Sequence, residues 1–223
     1  MMRIEKNDPS YPAKLSLLTG KDSPQTLDAI GDISILNKPM TAIFCSIRCP
    51  GEIILKAYDL VRDLRDSGVI FISGFHSPIE KDCLEILLRG SQPLVICLAK
   101  SIEKMRIPSD WKPRIDNGRL LLLSPFLPRQ KHITSERAQY RNLFVAALAE
   151  EIYIFHAAKG SKTMALFRQV LTWGKTVRTF HHPENEHLIA AGAQPIMQRS
   201  EEIENLCIHQ AMAHGFRDWI SIF

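Results

Sequence analysis

Short apolar runs recur along the chain, and each is followed by a polar loop and then by a longer segment with helical spacing. Apolar and polar residues do not alternate within these runs, which is typical of strands buried on both faces of a parallel sheet. The run at 151–155 is also too short for a core helix. Six runs are predicted to be strands, at residues 42–45, 69–72, 94–98, 120–123, 151–155 and 176–180.

The segments between the strands have the spacing of amphipathic helices. In residues 52–67, Ile53, Ala57 and Val61 recur on one side among charged residues, and Gly68 follows as a stop signal. Further helices are predicted at 78–88, 136–150 and 164–176. This alternation predicts an α/β fold, with a doubly wound, mostly parallel sheet and helices on both of its faces.

The two ends of the chain lack this alternation. Residues 1–40 contain turn signals and are predicted to be an irregular arm packed on a main domain of residues 41–200. Residues 201–223 are predicted to form a C-terminal helix and an apolar tail that includes Trp219 and Phe223. A tail this apolar docks either on its own domain or on a partner.

Composition narrows the class of protein. The chain has 223 residues, of which 45% are hydrophobic, so it can form one large or two small domains. We find no apolar run long enough to span a membrane and no export signal near the start. The cysteines number five, an odd count that favours reduced thiols in a reducing compartment. These features predict a cytoplasmic protein without a membrane partner.

Basic residues are concentrated around the run at 151–155. The net charge is only +4, but eight lysines and arginines fall between residues 129 and 175, against three acidic residues. A solvated helix face accounts for about half of these bases but accounts less well for those in the loops. The distribution is compatible with an anionic partner.

Three loops should line a ligand crevice, because open α/β folds bind ligands at the carboxyl ends of their strands. They are predicted at residues 46–51, 73–77 and 157–163, and the last contains the sequence KGSKT at 159–163. Its spacing is not that of a phosphate-binding P-loop, and the first loop lacks G-x-G-x-x-G, so a nucleotide hydrolase is rejected and a dinucleotide cofactor is disfavoured. Lys159, Ser161, Lys162 and Thr163 remain as an anion cradle at a helix start. Alternatively, Ser161 simply caps that helix.

A second group of candidates lies near the start of the helix at 136–150. Arg137, Tyr140, Arg141 and Asn142 place an aromatic ring between arginines, which suits single-stranded nucleic acid. Alternatively, the tyrosine packs on a neighbouring residue. We identify no catalytic constellation, metal cluster or cofactor motif, so the protein is expected to be non-enzymatic and to bind neither a metal nor a cofactor.

Several motifs follow one another in an order and spacing that resemble the Smf/DprA family of DNA-processing proteins, from about residue 7 to 206. DPSYP at 8–12 resembles D-P-x-Y-P, and IFCSIR at 43–48 resembles the I-V-G-S-R turn. GVIFISG at 68–74 is similar to A-G-x-x-V-V-S-G, and SKT at 161–163 falls on S-G-S. Arg141 and Asn142 resemble the start of R-N-R, and LIAAGA at 188–193 matches L-I-x-x-G-A.

The resemblance implies an extended Rossmann fold that binds single-stranded DNA, commonly as a homodimer, and delivers it to the RecA recombinase in natural transformation. Carried over by position, and together with Lys159, the expected DNA site consists of Ser46, Arg48, Ser73, Gly74, Arg137, Tyr140, Arg141, Asn142, Ser161, Lys162 and Thr163.

The chain departs from the family pattern at several of these positions. Cys45 stands in place of a glycine, Leu143 in place of the second arginine of R-N-R, and Lys162 in place of the middle glycine of S-G-S. We find neither a winged-helix domain nor the P-G-G-x-G-T signature of the LOG phosphoribohydrolases. The leading interpretation is a non-catalytic, DprA-like protein that binds single-stranded DNA. The alternatives are a sensor of a small nucleotide-derived ligand and a degenerate scaffold.

Overall fold

The computed structural model describes residues 1–20 and 23–196, which form one nine-stranded sheet. The strand order is β1-β2-β6-β5-β4-β3-β7-β8-β9. The strands from β3 to β9 pair in parallel, while β1 and β2 are antiparallel additions beside β6. The strands are β1 Met2–Glu5, β2 Thr26–Ile30, β3 Met40–Cys45, β4 Ile70–Ser73, β5 Leu94–Cys97, β6 Leu120–Ser124, β7 Glu151–His156, β8 Thr176–Thr179 and β9 Gln194–Pro195.

Helices cover both faces of this sheet. The helices are α1 Gly51–Leu64, α2 Pro78–Leu88, α3 Lys112–Asp116, α4 Ser135–Leu148, α5 Lys162–Thr172 and α6 Glu186–Ala190. One apolar cluster joins α4 and α5 to the sheet through residues such as Phe144 and Phe167, and the other joins α1 and α2 through Ile53 and Cys83. The predicted fold class, a doubly wound and mostly parallel α/β sheet of Rossmann type, is therefore confirmed.

The order of the strands places a crevice beside β3. From β3 the chain winds outward through β4, β5 and β6, and it then returns through α4 to β7 on the other side of β3. The helices that follow β3 and β7, which are α1 and α5, consequently lie on opposite faces of the sheet, and this arrangement opens a ligand crevice in such sheets. The loops that precede these two helices were expected to line the crevice.

The first 40 residues differ from the irregular arm that we expected. They supply β1 and β2, and the pair is tied together by Arg3, whose Nε lies 2.7 Å from Oδ1 of the buried Asp28. Only Ile4 is buried in β1, so the strand has no apolar run to reveal it. The division at residues 40 and 200 stays a prediction, and the predicted last helix, the tail and Cys207 lie outside the described residues.

In residues 1–20 and 23–196, no helix combines the length and the apolar character that crossing a bilayer requires.

The amine of Lys175 closes the end of α4. Its Nζ donates to the carbonyl oxygen of Ala147 at 2.7 Å and also to that of Ala149. The pKa of this amine is lowered to about 8, chiefly by burial, while the charge of Glu150 raises it and that of Lys14 lowers it. Because the unfolded state then binds more protons between pH 8 and about 10.4, this group makes the free energy of unfolding rise with pH across that window.

We therefore expect the Lys175 amine to titrate near pH 8, whereas a free lysine titrates near about 10.4. Carbon-13 NMR of lysine-labelled protein measures this midpoint, and the resonance that disappears in Lys175→Arg identifies the residue. A midpoint near that of free lysine would contradict the burial of the amine.

Candidate functional site

The loops after β3 and β7 touch at the switch point of the sheet. Ser46 Oγ lies 3.2 Å from Ser161 Oγ and accepts a hydrogen bond from the backbone N–H of Ala158 at 3.1 Å. Ser161 also caps α5, because its Oγ accepts from Met164 N at 3.1 Å. Ser161 therefore caps the helix, as the alternative interpretation of this loop anticipated, and the anion cradle stays a prediction.

The exposed cations Arg48, Lys159 and Lys162 lie within two residues of Ser46 or Ser161 along the chain. Lys162 is the first residue of α5, and its Nζ contacts Oγ of Ser135, the first residue of α4. The two helices thus begin side by side at the carboxyl edge of the sheet. A helix N-terminus carries a partial positive charge, so the helices and the cations together favour an anion at this rim.

Arg141 lies below the rim and not on it. The side chain is only 3% exposed, and Nη1 donates to the carbonyl oxygen of Cys97 at 2.9 Å. Burial lowers the pKa of its guanidinium, and the nearby charge of Glu80 raises it. A Cβ atom on Gly74 would overlap this guanidinium, so the glycine is what allows Arg141 to cross the end of β4.

Glu80 completes this floor, although we did not predict a site role for it. Its Oε1 accepts from Cys45 N at 3.0 Å, and its Oε2 accepts from His76 N at 2.9 Å. The carboxylate therefore holds the loops after β3 and β4 together. Ser77 caps α2 three residues before Glu80, a capping-box spacing that is visible in the sequence. The reach of the carboxylate to Cys45 is not visible there.

The other predicted residues lie in β4, along α4 and at the start of α5. Ser73 is fully buried, and its Oγ donates to the Ile43 carbonyl oxygen at 2.8 Å, so it joins β4 to β3. Along α4, Nη1 of Arg137 donates to the His132 carbonyl at 2.6 Å, and the ring of Tyr140 meets that of Phe126 edge-on with centroids 5.6 Å apart. Further along α4, Oδ1 of Asn142 accepts a hydrogen bond from Nε of Arg141 at 2.8 Å. Thr163 follows Lys162 at the start of α5 and is half-buried.

The structure therefore brings Ser46, Arg48, Lys159, Ser161 and Lys162 together at the rim. It places Ser73, Gly74 and Arg141 in the floor beneath them, and Arg137, Tyr140 and Asn142 on α4 beside them. Their contacts with DNA stay predictions. Tyr140 packs on a neighbour, as the alternative interpretation of this residue anticipated.

A buried polar cluster behind β7 was also missed. Asn185 Nδ2 donates to the carbonyl oxygens of Phe155 and Phe180, which orients its Oδ1 toward His156 Nδ1 at 2.8 Å. His187 Nε2 donates to the Ala157 carbonyl oxygen at 2.8 Å. These contacts fix the strand end from which the loop at 157–161 departs. Apart from the contact with Phe180, they join residues about 30 positions apart, so no local sequence motif predicts them.

We find no candidate metal site in the part of the chain that the structure describes. No three or more His, Cys, Asp or Glu side chains there are grouped so that they could hold an ion.

The family model of DNA recombination-mediator protein A matches residues 3–207, which is most of the chain. The chain belongs to this family. The sequence resemblance to Smf/DprA proteins is thereby confirmed. No curated protein sequence matches it significantly.

Solved structures of other proteins share the fold of this chain. DNA processing protein A from Streptococcus pneumoniae is 18% identical, with a TM-score of 0.74 over 91% of this chain and 73% of that one. DNA processing protein A from Helicobacter pylori, which has a unique single-stranded DNA binding mode, is 22% identical, with a TM-score of 0.71 over 93% and 96%. A molybdenum cofactor binding protein from Rippkaea orientalis is 12% identical, with a TM-score of 0.51 over 78% and 98%.

Proposed function

We propose that this member of the DNA recombination-mediator protein A family binds single-stranded DNA across the carboxyl edge of its sheet. In this proposal it presents the strand to a RecA-type recombinase during DNA uptake and recombination, acts as a cytoplasmic homodimer and catalyses no reaction. The observation that carries the proposal is the contact between Ser46 and Ser161, next to which the chain carries the exposed cations Arg48, Lys159 and Lys162.

The chemistry of the rim suits a phosphate backbone. Lysines and arginines that neutralise phosphates release counterions, which supplies affinity for any sequence. The two adjoining helix starts add oriented N–H groups at the same place. Family membership supports DNA processing as the role, and the DNA-binding mode of the Helicobacter pylori relative supports a single strand as the ligand.

Binding of fluorescently labelled oligo-dT at two salt concentrations tests the proposal. We expect micromolar or tighter binding at low salt, with a steep loss of affinity as salt is raised. Absence of binding at low salt would remove single-stranded DNA as the ligand.

Replacing Lys162 with alanine should weaken binding several-fold on every sequence and should reduce the salt slope by about 0.7, the value for one phosphate contact on a single strand. Lys38→Ala is the matched control, because Lys38 is an exposed lysine that precedes β3 at the opposite edge of the sheet. Equal slopes for the wild-type protein and Lys162→Ala would remove Lys162 from the site.

A further inference from the structure

A groove runs down from this rim between α4 and α5. It encloses about 220 Å³, with Leu143 and the buried Leu166 among the residues that line it. Pockets for drug-sized ligands are larger, about 300–1,000 Å³, so the groove suits an occupant of one flat ring system. Lys162 stands at its upper end, where the two helices begin.

Three side-chain amides line the same groove, and their hydrogen bonds determine which way each one points. Gln139 Nε2 donates to the Ser135 carbonyl oxygen at 3.3 Å. Asn142 Oδ1 accepts from Arg141 Nε, which can only donate. Thr172 donates its hydroxyl hydrogen to the Gln169 carbonyl, so its oxygen accepts from Gln169 Nε2. The amide orientations are thus set by their partners.

The groove consequently offers two acceptor oxygens, from Gln139 and Gln169, beside the N–H groups of Asn142 and the amine of Lys162. Gln139 Oε1, Gln169 Oε1 and Asn142 Nδ2 make no hydrogen bond to any residue within 1–20 and 23–196. Guanine has the complementary edge, with N–H donors at N1 and N2 and an acceptor at O6. Thymine has a single N–H between two acceptors and cannot satisfy both glutamines.

We propose that the groove between α4 and α5 is a nucleobase subsite that binds one unstacked base of single-stranded DNA and favours guanine. The proposal rests on the proposed function, because the phosphate of that nucleotide would lie at Lys162. Recognition of splayed bases by stacking on apolar surface and by hydrogen bonds to the base edge is common for single strands.

The test compares the wild-type protein on two oligonucleotides, oligo-dT and the same oligomer with one central guanine. We expect the guanine oligomer to bind at least about fivefold tighter, the lower end for a well-paired base edge. Inosine at the same place lacks the 2-amino group and should lose most of this preference.

The double variant Gln139→Leu/Gln169→Leu should abolish the preference, because it removes both acceptor oxygens. Leucine and glutamine have similar volumes, and both positions are exposed. Gln25→Leu, an exposed glutamine on the N-terminal segment, should retain it. The readout is the ratio of the two affinities, which a general loss of binding does not mimic.

A ratio of one in the wild-type protein, or an unchanged ratio in the double variant, would overturn the subsite while leaving DNA binding and its Lys162 dependence intact. If neither oligonucleotide binds the wild-type protein at low salt, the proposed function falls and the subsite falls with it.

Discussion

Replacing Arg141 with methionine is expected to lower the free energy of unfolding by about 2–4 kcal/mol. The change removes a charge-assisted hydrogen bond to the Cys97 carbonyl oxygen and another to Asn142, and it leaves the carbonyl buried without that donor. It also removes a positive charge that interacts with the buried carboxylate of Glu80. Replacing both members of a buried charged set with apolar residues is often neutral, but removing one member is costly.

Urea denaturation of the two proteins measures this difference. Arg168→Met is the control, because Arg168 is exposed on α5 and its replacement should change stability by less than about 0.5 kcal/mol. A loss below about 1 kcal/mol for Arg141→Met would show that the guanidinium does not stabilise the floor of the site.

Substituting alanine for Gly74 should be comparably harmful, with a loss of about 2–4 kcal/mol. The new methyl group would occupy the space of the Arg141 guanidinium, which must then leave its buried hydrogen bonds. Backbone strain is not the cause, since Gly74 is not among the residues with positive φ.

A double-mutant cycle isolates this contact. In the Arg141→Met background the methyl group should cost far less, because the flexible methionine can move aside, and the two changes should be markedly non-additive. Equal costs of Gly74→Ala in both backgrounds would place the origin of the damage elsewhere.

The predicted strands at 42–45, 69–72, 94–98, 120–123, 151–155 and 176–180 correspond to β3 through β8. The strands β3 to β6 are buried throughout, and such strands appear as continuous apolar runs. β8 differs from this expectation, because it contains an exposed threonine and the half-buried Arg178. β2 was not recognised, because its centre holds Asp28, whose burial depends on Arg3 in another strand. In the sequence alone, a buried charged residue that pairs with a distant residue cannot be distinguished from a charged residue on the surface.

The candidate site, like the sheet, could be predicted only in part from the sequence. Loops at the carboxyl ends of the strands located the rim, but Arg141, which was expected in the DNA site, lies buried in the floor beneath the rim. The helical stripe of Phe144 and Leu148 continues back by one turn to Arg141, so its inward position could have been anticipated. Its partners, Cys97 and Gly74, could not, because they depend on how α4 packs on β4 and β5.

The pairing of β2 with β6 has a consequence for synthesis of the chain on the ribosome. Ile30 pairs with Leu122, so the N-terminal strand pair cannot join the sheet until more than 90 further residues have been made. At about 5–20 residues per second this is a wait of roughly 5–20 s. β7, one of the two strands that pair with β3, is made later still, since its Glu151 pairs with Thr41 of β3. The nascent sheet therefore keeps apolar strand surface open for seconds, which is when a chaperone would find the chain most receptive.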